Sequence, residues 1–97
     1  MRISRICLSV MFSRYVKAIG GHVADSYNDV GGFTLDHNSV YGGWLIEQIG
    51  CENGSVNHPF GSRRMKIGEL YEALSFAIYS IEYLKFKQEQ LNKYEVV

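Results

Sequence analysis

Ile67, Leu70, Tyr71, Leu74, Ile78, Ile81, Leu84 and Leu91 keep to one stripe at steps of three and four. That spacing places side chains on one face of an α-helix. It predicts a helix from about Arg63 to Asn92, with Ser62 as its cap because a serine hydroxyl can accept an orphan backbone N–H. One helix taking nearly a third of a 97-residue chain leaves the rest to build the surface on which that stripe lies.

The segment before it, VYGGWLIEQIGCENGSVNHPFGSRRM from Val40 to Met65, holds the only tryptophan and the only proline. Phe33 and Leu35 alternate with Thr34 and Asp36, a first short strand, and Asn38 to Gly43 can form a connection. Trp44 to Cys51, rich in bulky apolar residues, is the central strand. Asn53-Gly54 is a strong hairpin signal, because a type I′ turn needs positive φ at both central positions. Ser55 to Phe60 is the third strand, and Pro59 puts its end on an edge. Upstream, Ile3, Ile6, Cys7, Val10, Met11, Val16 and Ile19 predict a first helix over about residues 4 to 19, stopped by Gly20-Gly21. The segment HVADSYNDVGG reads as a short helical turn or a loop. The expected fold is one α+β domain over residues 1–97, in the order α-β-β-β-α, with two helices on a three-stranded antiparallel sheet.

With 46% hydrophobic residues the chain can build a core, although one this short buries only roughly two-thirds of its unfolded surface. Ten basic residues balance ten acidic ones. That neutrality argues against a general nucleic-acid binder, which carries a basic excess, and against an acidic DNA mimic. Cys7 and Cys51 sit in apolar surroundings and read as buried thiols of a reducing cytoplasm, with a single disulfide as the alternative. The start, MRISRICLSVMF, has a basic and then an apolar run, but Arg14 and Lys17 follow and no small-residue cleavage site is evident, so it is not read as a secretory signal. No apolar run approaches the length of a membrane span.

A two-residue turn at Asn53-Gly54 pairs Glu52 with Ser55, Cys51 with Val56, Ile49 with His58 and Glu47 with Phe60. Leu45, Ile49, Cys51, Val56 and Phe60 then share one face, the better core face. Trp44, Ile46, Gln48, Asn57 and Pro59 share the other. Trp44 and Ile46 on an open sheet face would mark an interaction site, since tryptophan is enriched in binding hot spots. The alternative is that a loop, the N-terminal segment or a second copy covers this face. Arg63, Arg64 and Lys66 fall where the long helix should begin, and a cation there is disfavoured by about 0.3–1 kcal/mol when exposed. Such a cluster suits a phosphate or an acidic protein surface, against the alternative of a solvated charge run before a helix that starts near Ile67.

Catalytic chemistry finds no footing. His22 and Asp25 lie three apart and His37 adjoins Asp36, but no ligand set has metal-site spacing, and His58 reads as a side chain packed beside Ile49. Neither cysteine has the accessible, polarised setting of a nucleophile. The glycine pairs match no phosphate or dinucleotide fingerprint, so no cofactor is expected and the chain does not read as an enzyme. Seven tyrosines, Tyr79 and Tyr83 one helical turn apart among them, offer contact area for protein binding or dimerisation.

The segments YGGW and HPFGSRRM, followed by a helix, resemble the small accessory proteins of bacteriophages and prophages over about the last 60 residues. That resemblance implies a compact inhibitor, of the anti-CRISPR kind, that binds a protein or ribonucleoprotein complex in the cytoplasm of a bacterial host and blocks it. The residues placed at such an interface, Trp44, Ile46, Arg63, Arg64 and Lys66, come from the physical reading above. The α-β-β-β-α order also resembles the double-stranded RNA-binding domain, and Gly61-Ser62-Arg63-Arg64 is similar to the basic start of its second helix. That likeness implies phosphate contacts by Arg63, Arg64 and Lys66, while the neutral charge and the long last helix depart from the pattern. A structural homodimer through the Tyr-rich helix is the third reading.

Overall fold

The computed structural model describes residues 3–40, 42–51 and 55–95. The elements run α1 (Arg5–Ala18), β1 (Phe33–Asn38), β2 (Gly43–Ile49), β3 (Val56–Asn57) and α2 (Ile67–Glu95). The fold is α+β, with a three-stranded sheet in the order β1-β2-β3, antiparallel at both junctions.

Helix α1 is capped by Ser4, whose hydroxyl accepts from the Cys7 N–H at 3.1 Å. It ends where expected, and the reason is visible. Gly20 adopts a φ of 75°, its N–H bonds the Lys17 carbonyl, and the Gly21 N–H bonds the Val16 carbonyl. This is a Schellman closure, which needs a residue that tolerates the left-handed conformation. Its buried stripe differs from the expected one. Leu8, Met11, Phe12, Tyr15 and Val16 face the core, whereas Ile6, Val10 and Cys7 are exposed. The helix is apolar on more than one side, and the larger rings decide which side packs. Tyr15 meets Phe33 edge-on at 6.4 Å and Phe60 at 5.0 Å, and burial raises its phenol pKa. Cys51 is half-buried, and no disulfide joins it to Cys7, so the reading of two buried thiols fails at Cys7.

The two helices lie side by side and point the same way. The Lys85 ammonium donates to the Ala18 carbonyl at 2.7 Å, and Met11 and Arg14 share a groove with Ser75, Ile78, Tyr79 and Glu82. Leu70, Leu74 and Ile78 bury the α2 stripe against α1 and the sheet, joined by Ile46 and Phe33. Leu84 and Leu91, counted on the same stripe by spacing, are exposed.

The strand faces are the reverse of the expected assignment. Ile46 is fully buried, at 0% exposure, and Trp44 packs against the same core, so the face expected to be open is the one under the helices. Leu45 and Ile49, expected to form the core face, are buried too, but on the far side. Residues 22–32 fold back as a loop along the edge of β1, where Val23 bridges Phe33. Phe33 donates to the His22 carbonyl, Ala24 to Phe33, and Gly31 to Ile49. Ala24 and Tyr27 of that loop line a hollow with Ile49 and Val56. An apolar count along one strand could not reveal a loop of small and polar residues bordering the far face.

The pairing of β2 with β3 also differs. Ile49 lies opposite Val56 and Gln48 opposite Asn57, a register shifted by two residues from the expected partnership of Ile49 with His58 and Cys51 with Val56. A shift of two preserves which residues share a face, so it is not the cause of the reversal. The ladder closes with Gly50 N–H to the Ser55 carbonyl at 2.7 Å. Asn53-Gly54 and the pairing of Glu52 with Ser55 lie outside the described residues. Instead of continuing to Phe60, β3 stops at Asn57, and the chain turns at His58–Gly61 and sends Phe60 into the core beside Tyr15. Glu47, expected opposite Phe60, comes within 3.9 Å of the His58 ring instead. Among the described residues no helix is long and apolar enough to cross a membrane.

Candidate functional site

Met65 returns to the edge of β2 and bridges Trp44, with Trp44 N–H to the Met65 carbonyl at 2.8 Å and Met65 N–H to the Trp44 carbonyl at 2.9 Å. Because Met65 spends both backbone groups on the sheet, α2 cannot begin before it. Lys66 is therefore the residue whose carbonyl accepts the first helical bond, from Leu70 at 3.0 Å. Glu69 reaches back to the Lys66 N–H at 3.2 Å, half of a capping box, and sets a carboxylate in the first turn where the dipole favours it. This displaces the expected helix start at Arg63 and the expected cap at Ser62.

The three cations consequently have different fates. Arg64 is a structural clasp. Its guanidinium pairs with Asp36 at 2.5 Å and donates to the Gly43 carbonyl at 3.3 Å, tying the incoming segment to β1 and β2. Arg63 is well exposed and stands 3.7 Å from Glu69, an open pair worth at most about 1 kcal/mol. Lys66 is exposed at the helix start. On the other side of Trp44, His37 lies over the indole with centroids 4.4 Å apart, and the Arg5 guanidinium stands 5.8 Å from the indole centroid. Both helix N-termini therefore arrive at the Trp44 end of the sheet, and Arg5, Arg63 and Lys66 are gathered around them.

Of the five residues expected at an interface, Trp44, Arg63 and Lys66 come together at this end. Ile46 is enclosed in the core and cannot touch a partner, and Arg64 is already engaged with Asp36. Two members, Arg5 and His37, were missed. His37 was findable, since it falls opposite Trp44 once β1 and β2 are paired. Arg5 had no signal in the sequence, because nothing there says that the two helices are parallel.

The other polar cluster is local. The His22 ring bonds Asp29 at 2.9 Å, and the other Asp29 oxygen accepts from the Asp25 N–H at 3.1 Å, so Asp29 and not Asp25 is the partner of His22. The His22 hydrogen bond, then the Asp25 N–H, hold the Asp29 carboxyl below its ordinary value of 3.8. A lowered carboxyl pKa adds stability that is present above the unfolded value and lost as pH falls through the folded one. The 22–32 loop is thus expected to stay closed at neutral pH and loosen only in acid below that ordinary value. Amide exchange at Asp25 followed against pH checks this; loosening between pH 5 and 7 would contradict it. Among the described residues no group of three or more His, Cys, Asp or Glu side chains is placed to hold a metal ion. Comparison with protein-family models, curated proteins and solved structures finds no match, so the site rests on the geometry of this chain alone.

Proposed function

We propose that this is a non-enzymatic binding protein whose electropositive end, Arg5, Arg63 and Lys66 around the Trp44–His37 stack, docks on an acidic surface of a partner protein. The observation that carries the reading is the parallel arrangement of α1 and α2. It places two positive dipole ends and three exposed cations together, an arrangement that an incoming carboxylate relieves. Trp44 and His37 supply an amphipathic contact beside those charges. In the form implied by the resemblance to phage accessory proteins, the partner is a bacterial host complex and the outcome is its blockade.

Phosphate would satisfy the same charges, and the observed α-β-β-β-α order keeps the resemblance to the double-stranded RNA-binding domain in view. Against it stand the net charge of zero and the loss of Arg64 to Asp36. Salt separates the two. A protein partner is expected to survive nuclease treatment and a moderate rise in salt. An RNA complex would be lost to nuclease, and its affinity would fall steeply with salt in proportion to the phosphates neutralised.

A further inference from the structure

We propose that the outer face of α2 pairs with the same face of a second copy of the chain, antiparallel, about a twofold axis level with residue 81. The surface lies on the opposite side of α2 from the core and meets the electropositive end only at Glu69, which caps Lys66 and stands beside Arg63.

Turned away from Leu70, Leu74 and Ile78, α2 carries a second apolar stripe. Phe76, Tyr79, Tyr83 and Phe86 are 75%, 73%, 52% and 54% exposed. Their steps of three, four and three are the a/d spacing of a coiled-coil seam, which the fold itself leaves unused. From Glu82 to Lys93 every side chain is exposed, the one bond there back to α1 being Lys85 to the Ala18 carbonyl. A helix without packing is marginal in water, and this one carries Tyr83, Leu84, Phe86 and Leu91 into solvent.

The occupant follows from the order of residues along the stripe. Read outward from residue 81, it is a palindrome in size with opposite charge at its ends: Tyr79 and Tyr83, then Phe76 and Phe86, then Glu72 and Gln90, then Glu69 and Lys93. An antiparallel second copy sets each member against its counterpart, giving four aromatic layers, two on each side of the axis, closed by a Glu72–Gln90 layer and a Glu69–Lys93 layer at each end. Parallel pairing would instead oppose Glu69 to Glu69, Glu72 to Glu72 and Lys93 to Lys93, which like-charge repulsion disfavours. Shallow grooves lined by Phe76, Tyr79, Tyr83 and Leu84, and by Phe86, Gln90 and Lys93, follow one another along this face and offer holes for the opposing side chains. An aromatic side chain buries about 150–250 Å² when covered. Four, each half to three-quarters exposed, therefore give roughly 1,000 Å² over two copies, the lower bound for a specific interface.

Light scattering on the full chain is expected to give twice the 11.0 kDa of one chain at about 100 μM. Tyr79→Lys with Tyr83→Lys is expected to weaken self-association at least about a hundredfold, with the near-UV signal of Trp44 unchanged, since neither tyrosine is in the core. A zero-length carbodiimide cross-link between Glu69 and Lys93 reads the orientation. Within one helix those residues are separated by about 36 Å, so only an antiparallel second copy can join them. A mass of 11.0 kDa at that concentration, a dimer that survives the double substitution, or a dimer without the cross-link would each overturn the proposal. Reversing the charges of Arg5, Arg63 and Lys66 is expected to leave the mass unchanged, because the aromatic layers carry the association and only Glu69 of the end layer touches those cations, so this proposal and the docking reading fail separately.

Discussion

Replacing Ile46 with aspartate is expected to leave no folded protein at 25 °C. Ile46 is fully enclosed on the helix-facing side of β2, in the cluster that holds Leu70 and Leu74. Removing its side chain forfeits about 1.5–3 kcal/mol of burial. Setting a carboxylate there without a partner costs several kcal/mol more, by desolvation. Single domains are stable by only about 5–15 kcal/mol, and a chain of 97 residues sits toward the lower end. Ile46→Val should cost only about 0.5–1.5 kcal/mol. Circular dichroism in a urea titration checks both variants. A folded Ile46→Asp protein would mean that this face of the sheet is open after all.

The second large effect is expected at Gly43. A Cβ built there lies 2.7 Å from the Met65 carbonyl oxygen and 3.0 Å from the Arg64 Cβ. The first contact is with backbone, which cannot swing aside. Gly43→Ala must therefore push the 64–66 segment off the edge of β2, straining the Trp44–Met65 bridge and the Arg64–Gly43 bond together. The expected loss is about 1–3 kcal/mol, in the range for overpacking, with reduced partner capture because Lys66 moves with the segment. Gly68→Ala is the matched control. Nothing lies within 4 Å of its Cβ and it sits inside the first turn of α2. That substitution should raise stability by about 0.5–1 kcal/mol. Thermal melts of the two variants are expected to shift in opposite directions.

These two positions also show what the sequence could carry. The α2 stripe was legible because Leu70, Leu74 and Ile78 are set by a period that only a helix satisfies. The order of the elements followed from the turn signals between them. The start of α2 was not legible, since it depends on Met65 spending its N–H and carbonyl on Trp44, a contact across 21 residues of chain. The sheet faces were misread for a similar reason. Leu45 and Ile49 outnumber Ile46 as strong aliphatics, yet the helices take the face of Ile46 and the loop over residues 22–32 borders the other. In the candidate site, Trp44 stood out by its rarity, and Arg63 and Lys66 by their cost at a helix end. Arg64 looked identical to its neighbour until Asp36 came within reach. Arg5 enters the site only through the parallel packing of α1 on α2.

The docking reading is tested most directly by affinity capture from nuclease-treated bacterial lysate. The unaltered chain is compared there with Arg5→Glu, Arg63→Glu and Lys66→Glu combined. The unaltered chain is expected to retain a protein partner in stoichiometric amount, and the triple reversal to lose it while keeping its fold. Equal capture by both chains would contradict the docking reading.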